Sequence, residues 1–148
     1  MYKRQTWTTF ANDITGAWSF SNVADNTATF SMKVPDDIDF TEASYICIGW
    51  SSPVLAGDCY WYIAYLITAI GDDTDGVATD TNGALYESDG TADCMVRDTL
   101  ITIAANAFDA DSLCLHGAIT RDISEDALGD VAHLHGVTLM YTASKLGE

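Results

Sequence analysis

The chain has 148 residues, 48% of them hydrophobic, with 22 acidic residues against six basic ones and a formal net charge of −16. That length suits one domain with a sizeable core, and that composition excludes a disordered chain. Six cations among so many acids argue against direct binding to a nucleic-acid backbone, and no apolar run approaches the roughly 20 residues of a membrane-spanning helix.

Eighteen of the 22 acids are aspartates. Aspartate favours turns and is poor in regular elements, so the chain reads as short strands joined by many acidic loops. The basic start, Met1-Tyr2-Lys3-Arg4-Gln5, runs into polar sequence where a signal peptide would turn apolar, so none is expected. Residues 1–14 form a polar N-terminal arm with Trp7 and Phe10 as anchors. Residues 15–148 are read as a single domain.

Residues 17–21 make a short first strand. Residues 27–34 alternate cleanly, with Ala28, Phe30, Met32 and Val34 facing in and Thr27, Thr29, Ser31 and Lys33 facing out. Pro35 then ends the strand, because proline cannot donate to the ladder. Residues 44–50 are an apolar strand, and Pro53 and Gly57 mark the loop after it. Residues 59–70 are a long strand that is apolar on both faces. Trp61, Ile63, Tyr65 and Ile67 oppose Tyr60, Tyr62, Ala64 and Leu66. A strand of this kind is either covered twice or part of a subunit interface, and Tyr60, Trp61, Tyr62 and Tyr65 are the candidate oligomer contacts.

Residues 71–81 read as a surface loop, and residues 84–93 have no clear pattern. Residues 95–104 are another strand. The chain closes on a hairpin-like pair, residues 112–120 and 132–142, joined by an acidic loop. In the first, Leu113, Leu115, Gly117 and Ile119 share a face. In the second, Leu134, Gly136, Thr138 and Met140 oppose His133, His135, Val137, Leu139 and Tyr141. The count of seven or eight strands with turn signals between them predicts an all-β fold, a jelly-roll-like antiparallel β-sandwich of about eight strands.

Chemistry-bearing patterns are sparse. There is no GxSxG elbow and no phosphate cradle. Aspartate pairs are too common for any one to mark a glycosidase. The spacing of Cys47, Cys59, Cys94 and Cys114 matches no zinc pattern. Cys47 and Cys114 are expected to be buried thiols, with Cys59 and Cys94 the more exposed two. His133 and His135 stand two apart on one strand and so share a face. They are weak metal candidates, with His116 on the same sheet, or a carboxylate, as the third ligand. The run Gly71-Asp72-Asp73-Thr74-Asp75-Gly76 is calcium-loop-like, but Asn82 stands where an EF-hand places its bidentate Glu. No metal and no cofactor are expected. Trp50 and Trp61 belong in the core, leaving Trp7 and Trp18 for any exposed aromatic role. Arg121, beside Asp122 in a chain so short of cations, is expected to form a buried structural ion pair with nearby aspartates.

One resemblance is carried by the order of several loose motifs between residues 28 and 141. Phe30-Ser31-Met32-Lys33-Val34-Pro35-Asp36-Asp37 is an apolar strand running into a proline turn. Trp50 and Trp61 sit on the next two strands. An aspartate-bounded turn, an apolar strand, Arg121-Asp122, an acidic loop and a strand with Leu134-His135-Gly136-Val137 and Tyr141 follow. This order resembles a family of short β-sandwich virion proteins of tailed phages. The resemblance implies a non-enzymatic structural protein of the virion, assembled in the host cytoplasm. Its role would be a self-assembling capsid decoration or a similar small attachment. The implied partners are copies of itself, as a homotrimer, and other virion proteins such as the major capsid protein. Two alternatives stand beside it: a tail- or fibre-associated module that binds a glycan or receptor, and a cupin-like metal-dependent enzyme built on the histidines.

Overall fold

The structure, a computed structural model, describes residues 6–9, 16–54, 57–73 and 75–144. Nine strands are present among them and no helix: β1 (Thr6–Thr9), β2 (Gly16–Phe20), β3 (Asn26–Lys33), β4 (Ser44–Ser51), β5 (Asp58–Ala69), β6 (Asp80–Glu87), β7 (Val96–Ile103), β8 (Ser112–Arg121) and β9 (Ala132–Met140). They form two antiparallel sheets, in the orders β1-β2-β9-β4-β7 and β3-β8-β5-β6.

The pairings are nested. Strand β5 pairs with β6, β4 with β7, β3 with β8 and β2 with β9. The chain is therefore one long ribbon, doubled at the β5–β6 tip and rolled so that β4 meets β9 and β5 meets β8. This is the jelly-roll-like antiparallel β-sandwich expected from the strand count. The ninth strand, β1, comes from the N-terminal arm and extends one sheet edge by pairing with β2. Of the arm's expected anchors, Phe10 lies outside the described residues.

Rolling the ribbon corrects the expectation of a closing hairpin. Strands β8 and β9 lie in opposite sheets, and residues 122–131 cross between them. The sequence alternation is the same for a hairpin and for a crossover, so only the nested pairing distinguishes them. The loop assigned to residues 71–81 is also too long: β6 begins at Asp80. Its opening, Asp80-Thr81-Asn82-Gly83, is made of turn formers. The strand holds them because it is a largely exposed edge that packing against β5 keeps in place.

The core is made by strand parity. On the inner face of the β3-β8-β5-β6 sheet, register sets Ala28, Ile119 and Ile63 in one row and Asn26, Arg121 and Trp61 in the next. Trp61 meets the ring of Phe20 edge-on at 5.0 Å and that of Trp50 at 5.9 Å, joining the two sheets. Strand β9 is less regular. A bulge against Gly49 and Trp50 shifts its register. Ala132 and Leu134 are buried before it, whereas Val137 and Leu139 pack on the core after it. The even-numbered face expected from alternation therefore breaks, and Met140 is 41% exposed. A bulge inserts one residue and swaps the faces, which a strict period of two cannot register.

Gly117 lies between Phe30 and Tyr65 on the inner face, and a Cβ there would stand 2.3 Å from Phe30 Cζ. Gly117→Ala is expected to cost about 1–3 kcal/mol through overpacking. The measurement is a lower urea midpoint at unchanged slope, with partial recovery in Phe30→Leu/Gly117→Ala.

Candidate functional site

Arg121 ends β8 on the inward parity that Leu115 and Ile119 share, so its guanidinium enters the sandwich at 1% exposure. Its Nε donates to Asp126 Oδ2 at 2.6 Å and its Nη2 to Asp126 Oδ1 at 3.2 Å. Nη1 donates to the Phe20 carbonyl at 3.1 Å, and Nη2 also to the Leu128 carbonyl at 2.7 Å. The expected buried ion pair exists, but its carboxylate is Asp126 and not Asp122. Asp122 turns back on its own loop, where Oδ1 accepts from the backbone N–H and hydroxyl of Ser124. A neighbour in sequence on a strand points to the opposite face, so Asp122 cannot follow Arg121 inward. Asp126 also accepts from the Leu128 N–H, which fixes the crossover from β8 to β9.

Cys59 is fully buried against this ion pair. Burial pushes its thiol far above the ordinary range, and the Asp126 carboxylate adds to that while Arg121 opposes it. A thiol so placed is inert. The expectation that Cys59 is exposed is thus corrected: the inward parity of β5 outweighs the adjacent Asp58. Cys94 is exposed, Cys47 is buried, Cys114 is half-buried and all four are free thiols.

The histidines divide between the sheets. His116 lies on β8, so it cannot join His133 and His135 of β9 as a third ligand. Its Nδ1 is 2.6 Å from Ser31 Oγ and its Nε2 is 3.2 Å from Thr68 Oγ1. His133 Nδ1 lies 3.1 Å from Ser19 Oγ on β2, and His135 Nε2 lies 2.8 Å from Ser51 Oγ on β4. These two imidazoles tie β9 to both of its neighbours. Burial lowers the pKa of both. For His133 the carboxylates of Asp93 and Asp130 oppose that, and for His135 the neighbouring His133 reinforces it. Among the described residues, no group of three His, Cys, Asp or Glu side chains is placed to hold a metal ion.

The candidate oligomer contacts also divide by parity. Trp61 and Tyr65 are 1% and 4% exposed and belong to the core, which removes both from the candidate oligomer contacts. Tyr60 and Tyr62 face outward, with Leu85 of β6 beside Tyr60. The ring of Tyr60 lies across Gly83, where a Cβ would come within 2.6 Å of its hydroxyl. Leu85 was not anticipated, because β6 itself was hidden by its turn-forming start.

No protein-family model matches the chain, and no curated protein matches it. Among solved structures, the chain is similar to a carbohydrate-binding module, CBM28, specific for non-crystalline cellulose. The identity is 12% over 93% of this chain and 82% of that one, with a TM-score of 0.50. It is also similar to the structure of infectious bursal disease virus, Gx strain, with 16% identity over 97% of this chain and 38% of that one, at a TM-score of 0.41. The first likeness bears on the fold alone and agrees with the jelly-roll-like sandwich.

Two predictions follow from these contacts. Removing one partner of a buried ion pair costs about 3–5 kcal/mol. At about 2–4 °C per kcal/mol for a domain of this size, Arg121→Ala should lower Tm by on the order of 10 °C. Lys33→Ala is the control. The Lys33–Asp36 pair is 63% and 85% exposed, and such pairs contribute about 0–1 kcal/mol, so Tm should move by at most a few degrees. The second prediction concerns pH. The folded values of His133 and His135 lie below the unfolded value near 6.5. Their contribution is therefore complete above about pH 6.5 and is lost as pH falls through that value toward the folded ones. Thermal melts should show Tm falling as pH drops below about 6.5, and His133→Gln/His135→Gln should flatten the curve there.

Proposed function

We propose that this chain is a non-enzymatic structural protein of a phage particle, self-assembling as a capsid decoration or a similar small attachment. The single observation that carries assembly is the outward group Tyr60, Tyr62 and Leu85 at the β5–β6 edge. Tyr62 is 38% and Leu85 50% exposed in a chain whose net charge of −16 would otherwise keep copies apart. Apolar side chains gathered on one face mark a contact surface, and closed symmetry covers such a surface on every copy at once. The sequence order that resembles tailed-phage virion proteins supports the particle setting, and the jelly-roll-like sandwich is compatible with it. The partners in this reading are further copies of the chain, as a homotrimer, and the major capsid protein. The site of action is the virion, after assembly in the host cytoplasm.

Association should strengthen with salt, because repulsion between acidic subunits is screened over about 8 Å at physiological ionic strength. Light scattering is expected to return about three times the 16.0 kDa chain mass at micromolar concentration in high salt. Tyr62→Asp/Leu85→Asp should return a monomer with little change in Tm. A wild-type monomer in both low and high salt would overturn the reading.

A further inference from the structure

The outer face of the β3-β8-β5-β6 sheet is a grid whose rows are set by register. Thr29, Ala118, Ala64 and Thr81 form one row across all four strands. Ser31, His116 and Leu66 form the row on one side, and Thr27, Thr120 and Tyr62 the row on the other. The middle row has alanines at its centre and larger side chains along both flanks, so it is a trough. Four strands at about 4.8 Å spacing make it roughly 14 Å long. An open hollow of ≈ 590 Å³ lies over the β3, β8 and β5 part of this row and its Ser31–His116–Leu66 flank, bordered by Gly76 and Ala78 of the β5–β6 connection. That volume falls within the roughly 300–1,000 Å³ of small-ligand sites.

The lining is specific in its chemistry. His116 is clamped through both ring nitrogens by Ser31 and Thr68, which fixes the imidazole along one wall. The Thr27 and Thr120 hydroxyls bond each other at 2.7 Å on the other side. The outward side chains around the hollow are those of Thr29, Ser31, His116, Ala64, Ala118 and Leu66, and Phe30, Tyr65 and Gly117 complete its lining. Among the described residues no carboxylate, ammonium or guanidinium lines it, although the chain carries 22 acids. An anionic polymer would meet a body of net charge −16 with no cation in the trough to offset it. A cationic peptide would find no carboxylate there. An elongated neutral ligand with many hydroxyls fits both conditions. The alanine floor accepts the flat face of a ring, the hydroxyl-bearing walls exchange hydrogen bonds with its edges, and Tyr62 offers an aromatic flank.

We propose that this trough binds a neutral glycan chain, lying across the strands from β3 toward β6. The site borders the assembly edge at Tyr62 but does not include Tyr60 or Leu85. Native gel electrophoresis through soluble neutral polysaccharides tests it: hydroxyethylcellulose, glycogen, galactomannan and xylan in separate gels, with hyaluronan as the anionic comparison. At least one neutral polymer should retard the full chain, and hyaluronan should not. Ala118→Gln fills the floor at a half-buried outer position and should weaken retardation at least tenfold with Tm preserved. Tyr60→Ser/Leu85→Ser should leave retardation unchanged. No retardation in any neutral gel, retardation by hyaluronan alone, or retardation insensitive to Ala118→Gln would each overturn the proposal. If Ala118→Gln instead abolishes self-association in light scattering and no glycan retards the wild type, the trough is covered by a second copy and the proposal is wrong.

Discussion

A single guanidinium inside the sandwich sets the end of the roll where β2, β8 and the crossover to β9 meet. Arg121 belongs to one sheet, yet it bonds the Phe20 carbonyl of the other and both the carboxylate and a carbonyl of the crossover. A buried cation with any of these acceptors missing is costly. The requirement to satisfy it therefore specifies where the crossover lies, and Asp126 in turn fixes the Leu128 N–H. Leu128 then packs into the core as part of the loop. One charge thus converts a ten-residue acidic connection, which would otherwise be solvated, into a wall of the fold.

Much of this architecture is legible in the sequence, because most strands keep a period of two. The inward set Ala28, Phe30 and Met32 on β3, and Leu115 and Ile119 on β8, are packed as alternation requires. The burial of Arg121 follows from the same parity, since it stands two and six residues beyond Ile119 and Leu115. What alternation cannot carry is pairing. It is silent on whether β8 and β9 share a sheet, and it fails at the β9 bulge, where one inserted residue reverses the faces. It also misleads where both faces of β5 are apolar. Trp61 and Tyr65 point in while Tyr60 and Tyr62 point out, and the residue types on the two sides are nearly the same. The partner of Arg121 was hidden for a different reason. The competing aspartates were all close in sequence, and only the path of the crossover selects Asp126.

The candidate surfaces separate by charge. Carboxylates crowd the connections, such as residues 36–39, 72–75 and 109–111, while the central outer face of the β3-β8-β5-β6 sheet is neutral. Long-range repulsion acts on approach, and short-range contact is left to hydroxyl, imidazole, tyrosine and aliphatic groups. Such a division favours partners that are uncharged where they touch.

The nested ribbon has a consequence for how the protein is made. Among the nested pairs the tip, β5–β6, is the most local, and each further pair joins segments farther apart in the chain. Strand β9 lies between β2 and β4, so during synthesis those two strands wait with facing edges unpaired until the last strand is available. Topologies dominated by such distant pairings fold slowly, on the order of milliseconds to seconds, and unpaired edges invite association with other chains. The aspartates distributed along the connections keep like-charged nascent chains apart during that interval. A surface charge that contributes little to the finished fold therefore has its largest effect before the roll has closed.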